Sequence, residues 1–127
     1  MILNHVAIEC SSDKRVEAFY KEILGMKKIK DFIVQRSTSQ RVFHIDKEFR
    51  AMVYSRDNVT MEIFINENRV IADEQIPHLC LEVEDREELI VKCEKNHLEV
   101  IKIPKENGYL LFIRDFDGNL FEIKKLP

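Results

Sequence analysis

The sequence predicts an α+β fold built from two βαβββ modules, and three observations carry that prediction. PHLCLEV at 77–83 echoes NHVAIEC at 4–10, each running His, apolar, small, apolar, Glu from its second residue. The offset that lays His78 on His5 also lays one amphipathic helical segment on another. A second echo joins VTMEIFI at 59–65 to NLFEIKK at 119–125. Internal repetition of this kind means that each module is one structural unit used twice. The chain of 127 residues thus reads as a single domain, 1–127. Module one covers about 1–66, a connection about 67–76, and module two about 77–127.

Taken in order, NHVAIEC alternates as a strand does, with Val6 and Ile8 opposite His5, Ala7 and Glu9. SSDKRVEAFYKEILGM puts Val16, Phe19, Tyr20 and Ile23 on one helical face, after Ser12 as N-cap and before Gly25 as a left-handed terminator. KKIKDFIV, RVFHI and RAMVYS read as short strands, followed by VTMEIFI. ENRVIADEQI forms the connection, with room for a helical turn. PHLCLEV repeats the first strand. EDREELIVKCEKNH is the second helix, with Asp85 and Glu88 as a capping box and Leu89, Ile90 and Cys93 on one face. LEVIKI and YLLFIR are strands, and the turn DFDGN leads into NLFEIKK.

Composition narrows the function classes. Lys+Arg 20 against Asp+Glu 23 leaves a net charge of -3, which gives no electrostatic footprint for nucleic acid or an anionic membrane. No apolar run approaches the roughly 20 residues of a spanning helix, and no signal-like segment opens the chain, so a cytoplasmic protein is expected. Cys10, Cys80 and Cys93 are odd in number and lack CxxC spacing, which argues against a disulfide framework or a zinc ribbon and for buried thiols.

Side-chain parity points to the chemistry. In the first strand and its repeat, His5 and His78 oppose the aliphatic face; in the last strand of each module, so do Glu62 and Glu122. If the modules curve into one cup-shaped mixed sheet, two imidazoles and two carboxylates converge there. That set suits a divalent cation, with two carboxylates neutralising its charge. Parity is equally compatible with four unrelated polar residues on a solvated face.

A paired βαβββ repeat with His opening each half and Glu in each half's last strand resembles the vicinal oxygen chelate superfamily. This group includes glyoxalase I, methylmalonyl-CoA epimerase, extradiol dioxygenases, and fosfomycin- and bleomycin-resistance proteins. AFYKEILGM resembles the superfamily's F-Y-x-x-x-L-G segment, and FIRDFDGNLFEI its D-P-D-G-N-x-x-E ending, with Phe116 where proline is usual. The resemblance implies the glyoxalase/bleomycin resistance fold. It also puts His5, Glu62, His78 and Glu122 on the metal-ligand positions of bacterial-type glyoxalase I.

By that resemblance the protein is a divalent-metal-dependent, glyoxalase I-like isomerase or lyase. Its small substrate would chelate the metal through two neighbouring oxygens and pass through an enediolate-like intermediate. Glu122 is then the catalytic base and Glu62 a carboxylate able to serve on the other side. One divalent metal per site is implied (nickel, cobalt, zinc or manganese), in a homodimer whose cup takes one His/Glu pair from each subunit. Asn66 matches a glutamyl-contacting Asn of the glutathione-using enzymes. Glu9, however, stands where they carry an arginine for the glutamyl carboxylate, so poor use of glutathione is expected. Cys80 and Arg114 are further candidates for lining the substrate pocket. The rival readings are a non-catalytic small-molecule binding or resistance protein of the same fold and a methylmalonyl-CoA epimerase-like enzyme. His44, sharing a strand face with Val42, and His97, near a helix C-terminus, are expected to be structural.

Overall fold

The computed structural model describes residues 1–127, and the chain divides into two compact units, Met1–Arg69 and Val70–Pro127. Each contains one four-stranded mixed sheet. The first unit runs β1 (Val6–Cys10), α1 (Asp13–Val16), β2 (Lys27–Val34), α2 (Arg36–Phe43), β3 (Phe49–Arg56) and β4 (Val59–Ile65). The second runs β5 (Leu79–Val83), α3 (Arg86–Lys95), β6 (Val100–Lys105), β7 (Gly108–Arg114) and β8 (Leu120–Lys125). The strand orders are β1-β4-β3-β2 and β5-β8-β7-β6, so in each unit the last strand lies between the first and the third. The α+β class and the two βαβββ modules are borne out, with pairing completed module by module.

Capping follows the sequence. The Ser12 side chain accepts the N–H of Arg15, and Asp85 accepts that of Glu88. After its first turn α1 widens into a π-helix, Glu17–Ile23, closed by the N–H of Leu24 on the Phe19 carbonyl. Gly25 follows with φ 67°, the left-handed position the sequence assigned to it. Phe19, Tyr20 and Ile23 are buried, and Tyr20 meets Tyr54 of β3 at 6.4 Å between ring centroids. That contact places the helix over the sheet face carrying Met52, Tyr54, Met61 and Ile63, all buried. In the second unit Leu89, Ile90 and Cys93 are buried from α3, as are Ile113, Phe121 and Ile123 from the sheet. Burial pushes the Cys93 thiol up to about 11, as befits a packing residue.

One predicted strand is corrected. RVFHI is not a strand: Arg41–Phe43 end α2, and His44 is its left-handed C-cap at φ 59°. The alternation of Val42 and His44 mimicked a strand, while the preceding Ser/Thr-rich turn, RSTSQ, supplied helix without an apolar stripe long enough to show a period. The connection also forms no helix. Through α2, Phe43 packs edge-on against Phe64 at 5.4 Å, and Phe64 against Phe49 at 6.1 Å. Phe49, Ala51 and Phe64, with Phe32 and Val34 beside them, thus form an apolar cluster on the same sheet face as Glu62. The first unit therefore packs on both faces of its sheet.

Two polar devices brace the units. Arg50 of β3 donates to both oxygens of Asp31 at 3.0 and 2.8 Å and to Asp13 at 3.0 Å, tying β3 to β2 and to the start of α1. The guanidinium holds Asp31 down at about 2. In the turn before β8, Asp115 accepts the N–H groups of Asp117 and Asn119 and the side-chain amide of Asn119. Gly118 sits there at φ 80°, and a Cβ would lie 2.7 Å from Ile71, so both conformation and space require glycine.

Candidate functional site

Parallel pairing of β1 with β4 puts Val6 opposite Met61 and Ala7 opposite Glu62. His5, one residue ahead of β1, therefore falls at the end of the strand pair beside Glu62, with Nε2 3.7 Å from Oε2. The second unit reproduces this register, Leu79 opposite Phe121 and Cys80 opposite Glu122. His78, one residue ahead of β5, likewise has Nε2 3.7 Å from Glu122 Oε2. The two pairs are also similarly accessible, their histidines 40% and 34% exposed and their glutamates 20% and 18%. The duplicated sequence thus yields a duplicated His/Glu pair.

In each pair the imidazole is oriented from behind. His78 Nδ1 donates to the Ile76 carbonyl at 2.7 Å, and His5 Nδ1 to the Asn4 side-chain oxygen at 2.9 Å. A carbonyl oxygen can only accept, so in the neutral ring the hydrogen is on Nδ1 and Nε2 offers its lone pair. Phe112 supports His78 edge-on at 5.7 Å. Nε2 and Oε2 are too far apart for a hydrogen bond but closer than the roughly 4.2 Å that two metal-ligand bonds of about 2.1 Å can span. A nitrogen lone pair and a carboxylate oxygen, fixed on one side of each sheet, fit a divalent cation. Within each unit the cluster stops at two donors, with no third His, Cys, Asp or Glu joining it.

The other sequence candidates are placed as follows. Glu9 and Asn66 do come together: the Asn66 amide donates to Glu9 Oε2 at 3.2 Å. Arg69 Nη1 lies 3.8 Å from the same oxygen, so the Glu9 charge is balanced rather than bare. The expected repulsion of a substrate carboxylate by Glu9 is accordingly weakened. Arg69 went unnoticed in the sequence because nothing in the irregular connection gives its side chain a direction. Cys80 is exposed, correcting the expectation of three buried thiols. Partial desolvation against the sheet, then the Glu122 charge, push the thiol up, which opposes a nucleophilic role. Arg114 shares the Glu122 face of its sheet but is ion-paired to Glu99 at 3.2 Å. His44 and His97 both occupy left-handed positions after helices, which explains them structurally.

No helix is long and apolar enough to cross a membrane. Comparison with curated proteins finds no match. Among solved structures, a glyoxalase family protein from Enterococcus faecalis is 24% identical, with 95% of this chain and 94% of that one covered and a TM-score of 0.70. The fosfomycin resistance protein FosX from Listeria monocytogenes is 14% identical, with 100% and 94% covered and a TM-score of 0.74. A mutant of that FosX, 16% identical over 98% and 93% at a TM-score of 0.73, was solved with Mn(II) and 1S,2S-dihydroxypropylphosphonic acid. These likenesses establish the fold. The family model for the Glyoxalase/Bleomycin resistance protein/Dioxygenase superfamily matches residues 2–123, nearly the whole chain, and the chain therefore belongs to that superfamily.

Proposed function

We propose that the protein is a divalent-metal-dependent isomerase or lyase that moves a proton on a small substrate bearing two neighbouring oxygens. The observation that carries this reading is the duplicated pair, His5 with Glu62 and His78 with Glu122, each with a lone pair on Nε2 and a carboxylate oxygen 3.7 Å away. Two donors do not complete a coordination sphere, whereas the two pairs together supply two nitrogens and two oxygens. We take both pairs to serve one cation, in a homodimer where each site draws one pair from each subunit. The FosX mutant solved with both Mn(II) and a vicinal dihydroxy compound supports the match of metal and vicinal oxygens.

When bound, the metal supplies Lewis acidity that stabilises negative charge developing on the substrate's oxygens. The chain does the rest. The Ile76 carbonyl and the Asn4 side chain keep Nε2 of each histidine facing its glutamate. Glu122 is the base that takes the proton from carbon and gives it back, and Glu62 is a second carboxylate able to serve on the other side. Lys124, whose ammonium lies 3.8 Å from Glu122 Oε1, accompanies that carboxylate.

Deuterium exchange tests this reading without knowledge of the natural substrate. Hydroxyacetone carries two neighbouring oxygens and acidic C–H bonds. With manganese, cobalt, nickel or zinc supplied in D2O, the protein should speed exchange at the carbon bearing the hydroxyl, and a chelator should remove the effect. Failure to exchange hydroxyacetone, dihydroxyacetone and the methylglyoxal–glutathione hemithioacetal with any of the four metals would defeat the proposal.

A further inference from the structure

The sheet face that carries His5 and Glu62 continues into a cavity of about 340 Å³ within the first unit. Its floor is Ala7 and Phe64, which lie two residues beyond His5 and Glu62 on the same faces of β1 and β4. Phe43 and Ile45, brought over the sheet by α2, form one wall with Phe49. Phe43 and Ile45 are 44% and 38% exposed, large apolar side chains left facing the opening. Glu9 closes the far end, its Oε2 held by Asn66 and Arg69.

We propose that this cavity binds the apolar part of the ligand, which is therefore an aromatic or branched-alkyl compound with two neighbouring oxygens at one end. The inference rests on the function proposed above and specifies its substrate class. At about 3.3 Å per residue, four residues of strand separate His5 from Glu9 by roughly 13 Å. A ligand whose oxygens lie at His5 and Glu62 thus has its body over Ala7 and Phe64, against the edge-on ring stack of Phe43, Phe64 and Phe49. The volume lies near the lower end of the roughly 300–1,000 Å³ usual for small-molecule pockets, enough for one ring and not for a long chain. Glu9, fixed as an acceptor, faces the ligand's far end and can accept a hydrogen bond there.

Hydroxamates test this, since both acetohydroxamate and benzohydroxamate present two neighbouring oxygens and differ in methyl against phenyl. By titration calorimetry on manganese-loaded protein, benzohydroxamate should bind at least tenfold more tightly than acetohydroxamate. The ratio should fall at least fivefold in Ala7→Leu, which fills the cavity, and in Phe43→Ala, which removes its wall. Both are exposed positions, and the ratio is read within each variant. Equal affinities in the wild type, or a phenyl preference untouched by either substitution, overturn the proposal. If neither hydroxamate binds, the metal reading has failed, and metal-free protein decides the cavity alone. There benzyl alcohol should shift the methyl resonances of Ile45, an effect lost in Ala7→Leu; unmoved resonances overturn the cavity as well.

Discussion

Glu122→Gln is expected to lower exchange or turnover by about 10²- to 10⁴-fold, the usual worth of a positioned general base. Glutamine keeps the shape and one ligating oxygen but cannot accept the proton. The substitution should leave the fold intact because Glu122 sits on the accessible face of β8 and not in the core, where its neighbours Phe121 and Ile123 are each 1% exposed. Glu62→Gln should cost less, since on this account Glu122 is the principal base and Glu62 the second carboxylate. The two carboxylates are matched in geometry, each 3.7 Å from its histidine, so kinetics must separate them. A larger loss in Glu62→Gln, read as kcat in the deuterium assay, would exchange their roles. Equal activity in wild type and both variants would remove carboxylate chemistry from the reaction.

On the opposite face of the same strand, Phe121→Ala should destabilise the protein by about 3–5 kcal/mol, seen as a lower midpoint in urea unfolding. Phe121 is 1% exposed and lies in register between Leu79 and Ile113, where α3 covers the sheet with Leu89 and Ile90. Removing the ring leaves a cavity that this rigid strand pairing cannot close. Phe112→Ala, one strand away on the Glu122 face, should cost about 1 kcal/mol or less. That ring is half-buried, and its contact is with the edge of His78. Phe112→Ala should instead loosen metal binding by releasing the imbedded side of the imidazole. Similar stability losses in the two variants would mean that the faces of the second sheet are not divided between packing and chemistry.

Strand parity made that division legible in the sequence, because a period of two leaves no freedom once one face is aliphatic. His5, Glu62, His78 and Glu122 could be assigned to the faces opposite the aliphatic ones from alternation alone, and the structure pairs each histidine with the glutamate of its own module. The caps at Ser12 and Asp85 and the left-handed Gly25 were equally local, hence equally readable. What escaped was tertiary. α2 is eight residues long and polar along much of its length, and only its packing of Phe43 on Phe64 marks it as part of a wall. Arg69 neutralises Glu9 from an irregular segment, where no periodicity aims a side chain. The sequence consequently overstated the charge that a substrate would meet at Glu9.

Metal stoichiometry tests the central claim most directly. Protein loaded with manganese or zinc and freed of excess ion should retain about one divalent ion per chain by elemental analysis. His5→Ala and His78→Ala should each sharply reduce retention, because each removes one of the only two nitrogens among the four donors that serve the cation. Retention of a full ion in both variants would contradict the account, as the two histidines would then not be needed to hold the metal.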